Sequence, residues 1–127
     1  NLKTLVIPFA FMATLLLANV ASAQTTTVKN NTNCDMYYAV SSYNSTTNQW
    51  AGTGQIPIGA TSASTYTPPA GYEVVWVRVY SFTAPSGTTA TVGPTSTTAT
   101  VTTCDPTPAD VEWTSASVTT ATVSITP

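Results

Sequence analysis

The stretch Tyr-Glu-Val-Val-Trp-Val-Arg-Val-Tyr-Ser-Phe, residues 72–82, is both the most apolar and the most regularly alternating segment of this chain. Side chains alternate between the two faces of a strand, so Val75, Val77 and Val79 are predicted to share one face. We predict that this stretch is the central strand of a β-sheet, with its valines in the core. The opposite face is predicted to carry Tyr72, Val74, Trp76, Arg78, Tyr80 and Phe82.

The composition around this strand excludes several classes of function. Only 6% of the residues are charged, against about 25% in ordinary soluble domains. The formal net charge is −2, so the chain offers no basic surface for nucleic acid phosphates. Histidine is absent, which removes the commonest general base and the commonest metal ligand.

Residues 1–23 have the pattern of a secretory signal peptide. Lys3 precedes an apolar run over residues 5–17, and Ala21-Ser22-Ala23 forms a small-residue cleavage site. The run is short for a membrane helix, which needs about 20 apolar residues. A retained hydrophobic helix, as in a pilin, is the alternative, but the Ala-Ser-Ala ending favours cleavage. We therefore expect a protein that is secreted or at the cell surface, with no membrane contact after the leader is removed.

The two cysteines, Cys34 and Cys104, fit this exported location. An even number of cysteines in an oxidising compartment predicts a disulfide, with two free buried thiols as the alternative. A bridge between them would close a loop of about 70 residues and stabilise the fold by about 4–5 kcal/mol on the chain-entropy model.

Alternating segments before residues 72–82 predict further strands. Residues 24–33 are polar apart from Val28 and are predicted to be an N-terminal arm or an edge strand. Pro57 has no backbone donor, so residues 55–59 are predicted to be an edge or very short strand, followed by another at 62–67. Residues 34–43 are predicted to bury one face, Cys34, Met36, Tyr38 and Val40, and to expose the other, Asp35, Tyr37, Ala39 and Ser41.

The C-terminal part of the chain is rich in threonine. The pentapeptide Thr-Thr-Ala-Thr-Val occurs at 88–92, 97–101 and 119–123, and its β-branched residues favour strands. Gly93-Pro94 is predicted to be a hairpin turn between the first two copies, and Pro85-Ser86-Gly87 to be the turn after the central strand. Two more strands are predicted at 111–116 and 117–126. The last of these should share a face of Ala121, Val123 and Ile125.

Short strands with frequent turn signals predict an all-β fold. We expect residues 34–127 to form one antiparallel β-sandwich of Greek-key or immunoglobulin-like kind, with about seven or eight strands. The specific immunoglobulin signature is missing, because Trp76 follows Cys34 at far too long a spacing.

Three short segments resemble small exported β-proteins of Gram-negative bacterial surfaces. They are Asn-Asn-Thr-Asn-Cys-Asp-Met at 30–36, Ile-Pro-Ile-Gly-Ala-Thr at 56–61 and Pro-Ala-Gly-Tyr at 69–72. The resemblance implies a secreted or surface-attached β-domain and carries over no activity.

The sequence offers little catalytic chemistry. No histidine-based triad, zinc site or phosphate-binding loop can be written, so we predict that the protein is not an enzyme and needs no cofactor. Each cysteine is followed by an aspartate, so a disulfide would bring two carboxylates together. This arrangement would suit a calcium site, and the alternative is that Asp105 and Asp110 cap turns beside prolines. Its ligands would be Asp35, Asp105, Asp110 and Glu112.

Aromatic residues are the other candidate for a functional surface. Trp76, Arg78 and Tyr80 follow one another on one strand face, where Arg78 can lie over a ring. If this face is exposed, with Trp50 or Tyr72 nearby, it would form a platform for sugars or for a neighbouring subunit. The pattern favours the other arrangement, in which Trp76 fills the core and Arg78 reaches outward.

These features predict an extracellular structural protein. We expect a subunit of a surface fibre or pilus-like filament, a homopolymer in which polar terminal segments are exchanged between subunits. The alternative is a secreted carbohydrate-binding or adhesive module that holds polysaccharide on its aromatic face.

Overall fold

The computed structural model describes residues 25–81, 89–104 and 108–127. The predicted leader, the predicted turn at 85–87, Phe82 and Asp105 lie outside these residues. The described chain is all-β, and no helix in it is long and apolar enough to cross a membrane. Its strands are β1 Thr25–Asn30, β2 Met36–Asn44, β3 Gln49–Gly52, β4 Ile56–Ile58, β5 Ala63–Tyr66, β6 Glu73–Ser81, β7 Thr89–Val92, β8 Thr98–Val101, β9 Ala109–Ser115 and β10 Thr120–Thr126.

The strands form two sheets. Sheet I has the order β5-β1-β10-β9-β8, and sheet II has the order β3-β2-β6-β7, with β4 also paired to β2. All pairings are antiparallel except that of β1 with β10, the first and last strands, which run parallel. The predicted central strand is internal, since β6 lies between β2 and β7.

One hydrophobic core joins the two sheets. Val28 and Val123 of sheet I and Met36 and Val77 of sheet II are fully buried in the same cluster. The hydroxyl of Tyr38 in β2 shares a 2.6 Å hydrogen bond with Ser64 Oγ in β5, which links the sheets directly. Alternation predicted these faces of β2 and β10 correctly, because Cys34, Met36, Tyr38, Val40, Ala121, Val123 and Ile125 are all buried.

The N-terminal segment is neither a flexible arm nor an edge strand. β1 lies inside sheet I between β5 and β10, and its Thr26, Val28 and Asn30 are fully buried. Its polar composition suggested solvent exposure. The structure instead satisfies the amide of Asn30 with the carbonyl oxygens of Cys34, in the β1–β2 connection, and of Gly59, just after β4. A buried strand can therefore contain it.

The core face of β6 differs from the predicted one because the strand contains a β-bulge. Ser41 of β2 pairs with Trp76 and Ser42 with Val74, so Val75 is an extra residue on β6. Such an insertion reverses the alternation on one side of it. Val74 therefore joins Val77 and Val79 in the core, while Val75 is only partly buried.

The turn predicted at Gly93-Pro94 is present, but it does not close a hairpin within one sheet. Gly93 and Ser96 are paired through both backbone hydrogen bonds, of 2.9 and 3.2 Å. The strands on either side, β7 and β8, belong to sheet II and sheet I respectively. The turn thus carries the chain from one layer to the other.

The predicted disulfide is confirmed. Cys34 and Cys104 are bonded, with Cα atoms 5.6 Å apart. The bridge ties the β1–β2 connection, which crosses between the sheets, to the segment that follows β8. A disulfide of this kind is compatible with an extracellular, oxidising location.

Candidate functional site: the outer face of sheet II

Strand register builds an aromatic surface on the side of sheet II that faces away from the core. In β2 and β6, Tyr37 lies opposite Tyr80, Ala39 opposite Arg78, and Ser41 opposite Trp76. Residues that face each other across antiparallel strands project to the same side. Since the core face of β2 is Met36, Tyr38, Val40 and Ser42, the intervening residues form the outer face.

Trp76 lies on this outer face and is not the core tryptophan. Its ring is partly exposed, whereas Trp113 of β9 is only 4% exposed and belongs to the core cluster. The prediction that Trp76 fills the core is therefore wrong. Trp76 directly precedes buried Val77, so alternation along this part of β6 turns Trp76 outward, opposite outward-facing Ser41.

Arg78 is held against the Trp76 ring. Its guanidinium carbon lies 4.8 Å from the ring centroid, and its Nε donates a 3.2 Å hydrogen bond to Thr91 Oγ1 on β7. A cation–π contact at an exposed site contributes about 0.5–1 kcal/mol. The two contacts restrict the arginine side chain, so that Arg78 and Trp76 form one side of the aromatic surface.

A second aromatic pair lies at the far end of β2. Tyr43 and Trp50 are opposite each other in β2 and β3, and their ring centroids are 4.8 Å apart at an interplanar angle of 45°. The Tyr43 hydroxyl donates a 2.7 Å hydrogen bond to Asn48 Oδ1. Asn48 has a positive φ of 55°, a conformation that asparagine tolerates in tight turns. Trp50 is 61% exposed, which is unusual for a residue with so large an apolar surface.

Tyr72 is not in the row of Trp76, Arg78 and Tyr80 but contacts Gln49, the residue before Trp50 on β3. Its hydroxyl donates to Gln49 Oε1 over 3.4 Å. Adjacent strand residues point to opposite faces, so this contact does not place Tyr72 with the Trp50 ring. The chain reaches this position through Gly71, whose φ of +84° favours glycine. Tyr72 comes before the bulge, and for this reason strict alternation gave it the wrong neighbours.

Small residues lie between the two ends of this face. Ala39 and Ser41 are central on β2, and Gly52 lies opposite Ser41 on β3. Ala39 is on the outer face but is only 7% exposed. We call this row of small residues the β2 trough: its floor is Ala39, Ser41 and Gly52, and its ends are Tyr43 with Trp50 and Tyr37 with Tyr80.

Sequence reasoning found part of this surface. The structure places Trp76, Arg78 and Tyr80 on one face and Trp50 beside Tyr43 on that same face, whereas Tyr72 contacts Gln49 instead. Tyr37 and Tyr43 were not selected as site residues, nor was the small-residue floor. The signal was present for Tyr37, Ala39 and Ser41, since the predicted outer face of β2 contains all three.

The described carboxylates that were proposed for calcium do not gather into one site. Asp35 Oδ1 accepts a 3.0 Å hydrogen bond from the backbone N–H of Ala60. Asp110 and Glu112 lie on β9 opposite Thr100 and Thr98 of β8, on the outer face of sheet I. Over residues 25–81, 89–104 and 108–127, no three His, Cys, Asp or Glu side chains group as metal ligands.

Comparison with protein-family models, with curated proteins and with solved structures found no match for this chain. The resemblance to small exported β-proteins therefore stays a prediction from the sequence.

Proposed function

We propose that this protein is a secreted, non-enzymatic carbohydrate-binding module of a cell surface, with the outer face of sheet II as its binding face. The observation that carries the proposal is the pair of Tyr43 and exposed Trp50, on the same sheet face as Trp76 and Arg78. Exposed aromatic rings offer apolar stacking surface, and their polar atoms can bond to hydroxyl groups.

Three expectations from the sequence belong to this proposal. The immunoglobulin-like Greek-key sandwich is supported by two sheets around one core. Export is supported by the leader pattern and the disulfide. The absence of catalysis is supported by a composition that lacks histidine and has few carboxylates.

Retention on insoluble polysaccharides tests the binding function. The purified protein should co-sediment with at least one of cellulose, chitin or isolated bacterial cell wall. Trp50→Ala and Trp76→Ala should each weaken retention by about tenfold, the usual cost of truncating an aromatic anchor. Val118→Ala is the control, because Val118 is 70% exposed on the β9–β10 connection of the other sheet. Equal loss in all three variants, or no retention at all, would refute the proposal.

A fibre subunit is the second candidate, and the edge strands favour it. β5, β7 and β8 are edges of their sheets, and their sequences, Ala-Ser-Thr-Tyr and twice Thr-Ala-Thr-Val, contain no charge or proline. Charged residues and proline are the usual means of preventing edge-to-edge association. Copies of this chain could therefore add to one another at these edges.

Exchange of the N-terminal strand is not the favoured way to build such a fibre. β1 is internal, and the five residues that connect it to β2 contain Cys34, which the disulfide fixes. Sedimentation and electron microscopy at high protein concentration test the fibre. Ordered polymers that disappear when Thr100→Lys blocks the β8 edge would support it, while a monomer at every concentration would exclude it.

A further inference from the structure

We infer that the ligand is a neutral, unbranched polysaccharide that lies lengthwise in the β2 trough and contacts the aromatic rings at both ends. This inference rests on the proposed carbohydrate-binding function and specifies its ligand. Three properties of the trough support it: its length, its shape and its charge.

The length of the trough requires several sugar units. Tyr37 and Tyr43 are six residues apart on β2, and a strand rises about 3.3 Å per residue, so the ring-bearing ends are about 20 Å apart. Trp76 lies between them at the level of Ser41. A monosaccharide can stack on one ring only, whereas an extended chain can reach the Trp50 end, pass Trp76 and reach the Tyr37 end.

The shape of the trough favours a chain without branches. Ala39, Ser41 and Gly52 place nothing larger than a methyl or hydroxymethyl group on its floor. Along one side the floor is bounded by Trp76 and by Arg78, which is held in place by its contact with Thr91. A side branch pointing toward β6 would meet this fixed pair, while a linear chain passes beside it.

The charge of the surface favours a neutral ligand over an acidic one. Arg78 is the basic residue of this face, and it is already placed over Trp76. Glu73, opposite Tyr43, carries a negative charge at the Trp50 end. The chain as a whole has five acidic and three basic residues. A polyanion would therefore gain little attraction and would meet repulsion at Glu73.

Calorimetric titration with oligosaccharides of increasing length tests the inference. The probes are β-1,4-linked glucose and N-acetylglucosamine oligomers from disaccharide to hexasaccharide, and alginate oligomers as the acidic comparison. Affinity for one neutral series should rise by about tenfold or more between the shortest and the longest oligomer, because the longer chain engages a second ring site. It should change little with salt, since no charges are paired.

Two variants connect that length dependence to the trough. A Cβ at Gly52 would make only ordinary contacts, 3.5 Å from the Val40 carbonyl oxygen and 3.8 Å from Ser41 Oγ. Gly52→Val should fill the floor and reduce binding of the hexasaccharide by about tenfold. Gly54→Val is the matched control, since a Cβ at Gly54 meets nothing within 4 Å and the residue lies in the interruption between β3 and β4.

The outcomes separate this inference from the proposed function. Binding of alginate alone, or equal affinity for short and long neutral oligomers, would overturn the inference and leave carbohydrate binding intact. So would an unchanged affinity of Gly52→Val for the hexasaccharide. If no glycan binds and the wild-type protein instead sediments as an assembly that Trp50→Ala disperses, the proposed function fails as well, and the face is an interface between copies.

Discussion

Gly93 packs directly against the peptide group of Val75. A Cβ on Gly93 would overlap the Val75 carbonyl oxygen and lie 3.3 Å from Cα of Trp76. Val75 is the extra residue of the β6 bulge, and Gly93 begins the turn between the two sheets. The turn and the bulge therefore pack against each other at the residue that precedes Trp76.

Gly93→Ala should lower the free energy of unfolding by about 1–3 kcal/mol, the usual cost of overpacking a closely packed site. The overlap involves backbone atoms, which cannot rotate away. Urea unfolding measures the loss, and Gly54→Ala is the control with open space around the new methyl group. If the two variants unfold at the same urea concentration, the packing of Gly93 on the bulge does not stabilise the fold.

This bulge also marks the limit of what the sequence could predict about the fold. Period-two alternation located the central strand and gave the correct core faces of β2 and β10. It failed at Val75, because an inserted residue changes the phase without leaving a sign in the apolar pattern. β1 was misplaced for a different reason: burial of Asn30 depends on carbonyl groups that come together only in the folded chain.

The candidate site, like the fold, could be predicted from the sequence only in part. Trp76, Arg78 and Tyr80 could be grouped from one strand, because residues two apart share a face. Tyr43 and Trp50 could not be paired in advance, since β3 was not recognised and its register with β2 depends on the turn at 45–48. The trough could not be predicted for the same reason, because its floor combines residues of both strands.

Asn30 should be among the most sensitive polar residues of the chain. It is fully buried, and its Nδ2 donates to the carbonyl oxygens of Cys34 at 2.7 Å and Gly59 at 3.1 Å. Its Oδ1 accepts from Thr32 Oγ1 at 2.7 Å. Asn30→Asp keeps the shape but removes both donors and buries a carboxylate, so we expect a loss of about 3 kcal/mol in the free energy of unfolding.

Asn31→Asp is the matched control for that measurement. Asn31 is the adjacent residue and its side chain is exposed, so the same substitution should change stability by no more than about 0.5 kcal/mol. Chemical denaturation of both variants gives the comparison. Similar midpoints for the two would mean that the buried hydrogen bonds of Asn30 contribute no net stability.

Substitution of Ser42 should stabilise the protein, in contrast to substitution of Asn30. It is fully buried opposite Val74, next to the bulge, and its hydroxyl has no hydrogen-bond partner among the described residues. Ser42→Ala removes that buried polar group, so the free energy of unfolding should rise by about 1 kcal/mol. Thermal and urea unfolding measure the gain. A destabilised Ser42→Ala would show that the hydroxyl is satisfied in solution, for example by a buried water.

Truncation of Trp113 should lower the free energy of unfolding far more than truncation of Trp76. Trp113→Ala removes a ring that is 4% exposed in the core, so it should cost about 3–5 kcal/mol of unfolding free energy. Trp76→Ala truncates a partly exposed ring and should cost about 1 kcal/mol. Urea unfolding ranks the two, and a loss at Trp76 as large as that at Trp113 would place Trp76 in the stabilising core.

Loss of the disulfide should strongly lower the free energy of unfolding. Cys34 and Cys104 are 70 residues apart, and opening a loop of that length should lower the free energy of unfolding by about 4 kcal/mol on the chain-entropy model. The double variant Cys34→Ser/Cys104→Ser tests this by urea unfolding.

Reduction of the wild-type protein provides the control for that variant, because it opens the same loop without changing the residue at the buried position of Cys34. The reduced protein and the double variant should have matching midpoints if loop closure is the cause. A double variant much less stable than the reduced protein would instead assign the loss to Cys34 itself, whose carbonyl oxygen accepts the hydrogen bond from Asn30. Equal stability of oxidised and reduced protein would contradict the entropic account.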